Sequence, residues 1–147
     1  MNRTDVTIDF TLFNDMTELD RLNQQLNHFR VQAGLETKCF QEINLALEEL
    51  FANFVHHAHR QHEGRHTIRF SISLEDRVLT IRTEDSGTAF NPQKAAPPDV
   101  KCPLEQRKIG GLGIVLIKRT MDAIHYQRTA DKNITTFVKY IEDTSNC

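Results

Sequence analysis

The chain lacks an excess of either charge: 18 lysine and arginine residues stand against 20 aspartate and glutamate residues, a net charge of −2. That near-balance argues against nucleic-acid binding driven by bulk charge. It also lacks long hydrophobic runs. The longest purely aliphatic one is Ile114-Val115-Leu116-Ile117, far below the roughly 20 residues that span a bilayer. No apolar stretch follows Met1-Asn2-Arg3-Thr4-Asp5, so a secretory signal is not expected. Cysteine is scarce: Cys39, Cys102 and Cys147 are scattered and form no C-x-x-C pair. A reduced, cytoplasmic protein without a cysteine zinc site is the expectation. Proline is missing from all but one stretch, since Pro92, Pro97, Pro98 and Pro103 all fall between Phe90 and Gly110. A long aperiodic segment inside a compact domain is uncommon and is usually functional.

What is present fits one domain, residues 1–147. With 39% apolar and 26% charged residues, the chain can build a core without staples. Val6, Ile8, Phe10 and Leu12 alternate with polar residues, as in a strand. Asn14 offers an N-cap for a helix carrying Leu19, Leu22, Leu26 and Phe29, which Gly34 closes. A second helix is predicted over about 37–62, with Phe40, Ile43, Leu47, Leu50, Phe51 and Phe54 as its stripe. Ile68, Phe70 and Ile72, then Leu79 and Ile81, form a hairpin across Glu75-Asp76-Arg77. A third helix starts near Gly111. Two strands, 123–128 and 134–141, close the chain across a turn at Asp131-Lys132-Asn133. This order predicts an α+β two-layer sandwich. The Gly110-Gly111-Leu112-Gly113 turn matches neither G-x-G-x-x-G after a strand nor G-x-x-x-x-G-K-[ST].

Three places carry chemistry. Glu49 and Asn53 are four apart and share a helix face, with Ala46 and Ala52 beside them. They read either as a surface acid and amide or as a site, and an amide among Phe51, Phe54 and Val55 needs a partner. Asp85 ends a strand with the parity of Leu79 and Ile81, so it faces the core layer, and Gly87 follows. That pair reads as an Asp-Ser-Gly turn or as a carboxylate accepting from a ring amine. Gly110, Gly111 and Gly113 before a helix read as a hinge or as a phosphate cradle of backbone N–H groups.

In this order the three segments resemble the GHKL ATPase superfamily, and more closely the small anti-sigma-factor serine/threonine kinases of bacteria. The N box stands as Glu49-Leu50-Phe51-Ala52-Asn53, followed by His57. The first glycine box stands as Asp85-Ser86-Gly87-Thr88-Ala89-Phe90-Asn91-Pro92, and the second as Ile109-Gly110-Gly111-Leu112-Gly113-Ile114. The resemblance runs from the first strand to about Tyr140. It implies the GHKL (Bergerat) fold, a mixed sheet with helices packed on one face. It implies ATP and Mg2+ as cofactors and γ-phosphoryl transfer to a serine or threonine. The implied partners are a STAS-type anti-sigma-factor antagonist as substrate and a sigma factor held inactive. Neither a nucleic acid nor a membrane is among them, and a homodimer is allowed for.

Matched positions then receive roles. Glu49 would be the general base, and Asn53 the magnesium ligand. Asp85 would receive the adenine amine, with Gly87 bordering the ring. Gly111, Leu112 and Gly113 would hold the phosphates. Residues 91–109 would be the ATP lid, with Phe90 at its start, Arg107 as a phosphate contact and His57 reaching the phosphates or lid. Thr136 on the last strand would be an adenine contact. Ala89 departs from the superfamily, many members of which have a second glycine there. An alternative function is a non-catalytic ATP-dependent module that switches protein partners. A second is a detached histidine-kinase catalytic domain, whose partner would have to carry the phospho-accepting histidine. The histidines at 56, 57, 59, 62 and 66 allow a third, a metal site, but no motif of known spacing completes it.

Overall fold

The computed structural model describes residues 5–57, 65–87, 89, 91 and 111–142, with the backbone alone at 57 and 111–114. Within them run β1 (Val6–Phe13), α1 (Leu19–Ala33), α2 (Thr37–His57), β2 (Thr67–Glu75) and β3 (Val78–Asp85). After these come α3 (Gly111–Thr120), β4 (Ala123–Thr129) and β5 (Lys132–Tyr140). The strands form one sheet in the order β1-β2-β3-β5-β4. All four neighbouring pairs are antiparallel, which corrects the expectation of a mixed sheet. The reason is topological. β3 and β4 run in the same direction across the α3 connection, but β5 inserts between them and hydrogen-bonds to both.

Period-two alternation works as expected on β1 to β3. Val6, Phe10 and Leu12 meet Leu74, Phe70 and Ile68 on the inner face, with Phe10 stacked on Phe70 at 5.1 Å between ring centroids. Leu79 and Ile81 continue that face, and Phe137 extends it on β5. The helices cover it with Leu22, Leu26 and Phe29 from α1 and Phe40, Ile43, Leu47, Phe51 and Phe54 from α2. Helices on one face and a polar outer face make the α+β two-layer sandwich.

Local chemistry sets the ends. Asp15, not Asn14, caps a single 3₁₀ turn at Met16–Glu18, its carboxylate accepting from the Thr17 N–H at 2.9 Å. Asn14 instead ties the end of β1 to the start of β2: its Oδ1 accepts from the His66 N–H, and its own N–H donates to the His66 carbonyl. Gly34 ends α1 at φ 70°, the left-handed cap geometry. Both hairpin turns are two-residue turns with both φ angles positive, at Asp76-Arg77 and at Ala130-Asp131. The second corrects the turn expected at Asp131-Lys132-Asn133. Asn133 lies inside β5 and is 4% exposed. Cys39 is buried and disulfide-bonded, against the expectation of a reduced chain, because spacing along a sequence does not report which sulfurs a fold brings together. No helix among the described residues is long and apolar enough to cross a membrane.

Candidate functional site

The topology gathers the singled-out segments at one end of the sandwich. β1 ends beside the start of β2 through the Asn14–His66 pair. α2 feeds β2 through a short link, so its C-terminal half reaches the same end. β3 ends there at Asp85, β5 begins there at Lys132, and α3, which packs on α2, starts after the segment that follows β3.

On α2, Glu49 is half-buried and Asn53 is 7% exposed, one turn further on. The face they share is closed beneath by the fully buried Ala46. Asn53 Oδ1 is buried and has no hydrogen-bond partner among the described residues. A buried amide oxygen without a donor costs about 1–3 kcal/mol, so an interior position of this kind asks for a partner beyond the described residues. A hard oxygen donor beside a carboxylate suits Mg2+, which prefers oxygen ligands and keeps several waters. The donor chemistry at Asn53 therefore fits the metal.

At the strand ends, Asp85 makes the Asp-Ser-Gly turn and also faces the inner layer. Its Oδ1 accepts from the Gly87 N–H at 2.8 Å and from Asn133 Nδ2 at 3.1 Å. The turn and the inward carboxylate were alternatives in the sequence. They coexist because the turn uses only Oδ1. Burial pushes the Asp85 carboxyl above its ordinary range, against the pull of the Asn133 and Gly87 bonds and the Arg128 charge. Gly87 is buried, and its carbonyl accepts from Arg128 Nη1 at 2.7 Å.

Thr136 is not on this face. It pairs with Arg82 and His125 on the outer side of the sheet, one residue out of phase with Asp85. The buried Thr135, paired with Thr83 and Tyr126, takes the inner position instead. Phe137 and Ile141 signal that parity in the sequence, and Ile134 and Val138 contradict it. Asn133, Arg128 and Tyr126 also escaped sequence reading, Asn133 because asparagine beside aspartate imitates a turn. Gly111, Leu112 and Gly113 form the first turn of α3, where backbone N–H groups lack intrahelical partners. The side chain of His57, together with Phe90 and Arg107, lies outside the described residues. So does the expected lid at 91–109 apart from Asn91, and so do His59 and His62 of the histidine cluster. Among the described residues no group of three or more histidine, cysteine or carboxylate side chains is placed to hold a metal ion.

Known proteins share much of this sequence and fold. The chain is 28% identical over 149 residues to the serine-protein kinase RsbW of Listeria monocytogenes, covering 95% of this chain and 92% of that one. It is 35% identical over 107 residues to the serine-protein kinase RsbW of Bacillus mycoides, covering 69% of this chain and 64% of the relative. In fold it is similar to the solved RsbU and RsbW domains of Rv1364c from Mycobacterium tuberculosis. That similarity has a TM-score of 0.64 at 12% identity, over 96% of this chain and 34% of that one. The family profile described as "Histidine kinase-like ATPase domain" matches residues 13–139, and the chain belongs to that family.

Proposed function

We propose that the chain is a cytoplasmic, single-domain anti-sigma factor with ATP-dependent serine/threonine kinase activity toward its antagonist. The observation that carries this reading is the α2 face, where a half-buried carboxylate stands one turn from a buried amide oxygen with no donor among the described residues. The relatives named serine-protein kinases support it over nearly the whole chain.

In this reading Asp85 accepts from the adenine amine through Oδ2, Gly87 borders the ring, and Thr135 takes the adenine-side position first given to Thr136. The N–H groups of Gly111, Leu112 and Gly113 hold the phosphates at the start of α3. Asn53 holds the metal, and His57, Phe90 and Arg107 belong to the phosphate side and the lid at 91–109. Mg2+, when bound, neutralises the phosphates. Glu49 accepts the proton of the acceptor hydroxyl as its oxygen bonds to the γ-phosphorus. The bond from that phosphorus to the bridging oxygen breaks, and ADP leaves. The acceptor is a serine or threonine of a STAS-type antagonist. Once phosphorylated, the antagonist no longer binds and the sigma factor is captured. A homodimer is part of the proposal.

The test incubates wild type, Glu49→Ala and Asn53→Ala with labelled ATP and a candidate antagonist. Wild type should label a serine or threonine. Glu49→Ala should keep nucleotide affinity and lose about 10²–10⁴-fold in transfer. Asn53→Ala should lose transfer and all of the nucleotide affinity that depends on the metal. A wild type that binds ATP and antagonist but never labels it would replace the kinase with a partner-switching module that only binds nucleotide.

A further inference from the structure

Asn133 sits on the same rung of the sheet as Asp85. Its carboxamide is held from both sides. Oδ1 accepts from the Tyr126 hydroxyl and from Arg128 Nη1 at 3.1 Å. Nδ2 donates to Asp85 Oδ1 at 3.1 Å and to the Gly87 carbonyl at 3.4 Å. The opposite amide orientation would set NH2 against a guanidinium, which has no acceptor, and an oxygen against a carboxylate and a carbonyl. The network thus dictates which way Asn133 points.

The consequence falls on Asp85. With the Gly87 N–H and Asn133 Nδ2 both on Oδ1, the two acceptor sites of that oxygen are used. The carboxylate is fixed in rotation, and Oδ2 is the oxygen that remains for a ligand. Arg128 clamps the Gly87 carbonyl at the same time, so β4 and β5 together hold the turn that follows β3.

We propose that Asn133 is a positioning residue for base recognition: with Tyr126 and Arg128 behind it, it keeps Asp85 ionised and presents Oδ2 to the amine of the bound nucleotide's base. This rests on the nucleotide reading of the site. Among the described residues, the charged and titratable groups on the inner face of the sheet are Arg128 and Tyr126 from β4 and Lys139 at the far end of β5, with Glu49 on the Asn53 face of α2. β2 places Ile68 opposite Asp85, while Glu84, Lys132 and Arg69 have the outer parity and border, at the strand ends, a cavity that Asp85 also lines. Burial raises the Asp85 carboxyl and the Asn133 bond lowers it, so removing the amide leaves burial less opposed.

The experiment titrates the full chain with a fluorescent ADP and magnesium from about pH 8 to about pH 4, through the histidine range and into the carboxylate range. It compares wild type, Asn133→Ala and Asn133→Asp, with melting temperatures measured alongside. Asn133→Ala should bind about tenfold or more weakly at the acid end and lose affinity at a higher pH than wild type. Asn133→Asp is isosteric and sets two carboxylates side by side, where one proton is shared. Its affinity should be weak at about pH 8 and rise on acidification, as the protonated partner regains a donor. Opposite slopes in the two variants are the signature, and a packing role cannot produce them. If wild type binds and all profiles run parallel, with or without a lowered melting temperature, the positioning role is overturned. If Asn133→Ala does not fold, Asn133→Asp decides alone. If wild type itself binds no nucleotide, the reading beneath the inference fails, and the inference fails with it.

Discussion

Asp85 and Asp9 show opposite uses of a carboxylate. Asp9 lies on the outer face, and its bond to Arg69 at 2.7 Å holds its carboxyl below the usual range. Its contribution is present above the unfolded pKa and is lost as pH falls through the folded one. Asp85 goes the other way. Burial makes its folded pKa higher than its unfolded one, so the native state binds the proton more tightly. Stability is then present below the unfolded pKa and declines as pH rises through the folded one. Once ionised, the buried Asp85 carboxylate is a cost that the Asn133 and Gly87 bonds and the Arg128 charge offset only in part. Asp85→Asn keeps an Oδ1 to accept from Gly87 and Asn133 while removing the buried charge. At neutral pH it should melt at or above the wild-type temperature, and that difference should close on acidification through the carboxylate range. Its nucleotide affinity should fall by about 1.5–3 kcal/mol, the worth of a hydrogen bond to a charged group. Melting curves across pH and a fluorescent-nucleotide titration check the two halves. A large loss of stability at neutral pH would mean that the carboxylate is structural.

The elements carry their instructions unevenly, and the turns show it. Gly34 is at φ 70°, and a Cβ built there meets nothing within 4 Å. Gly34→Ala should therefore cost about 1 kcal/mol through backbone strain alone, and Gly34→Asn less, because asparagine tolerates this geometry. Ala130 is the converse, with φ 52° and no excuse from its side chain. Ala130→Gly should stabilise the chain by about 0.5–1 kcal/mol, read as a higher urea midpoint at an unchanged slope. Gly34 was legible because glycine after an amphipathic stretch has few other meanings. The turn between β4 and β5 was not legible. Alanine gives no turn signal, and Asp131-Lys132-Asn133 gives a false one. The true turn is set by the pairing of Thr129 with Lys132, and so by register with β3. That two-residue displacement hid Asn133, and with it the network behind Asp85. The helix stripes and the first three strands were legible because each buries one face at its own period. The first three strands alternate cleanly, whereas β5 mixes Ile134 and Val138 outside with Thr135 and Phe137 inside.

At the scale of the whole molecule, the core and the site are built from the same face. The side of the sheet that packs Phe70, Ile81 and Phe137 under the helices also ends in Asp85 and Asn133. A ligand held there touches both layers, so its binding energy adds to the stability of the entire fold. One site occupied at a hundred times its dissociation constant stabilises by about 2.7 kcal/mol. For a chain of this size that is a rise of roughly 5–10 °C in melting temperature. Mg2+ with ADP should produce such a rise in the wild type. EDTA should remove most of it, because Asn53 Oδ1 has no donor among the described residues and, in the proposed function, acts on the phosphates only through the metal. Asn53→Ala should stay folded, since deleting the amide also deletes its unpaired oxygen, and should show the small nucleotide shift that wild type shows in EDTA. Adding EDTA to Asn53→Ala should then change nothing further. A wild-type shift that survives EDTA in full would take Asn53 out of the metal site and leave nucleotide binding to the Asp85 end alone.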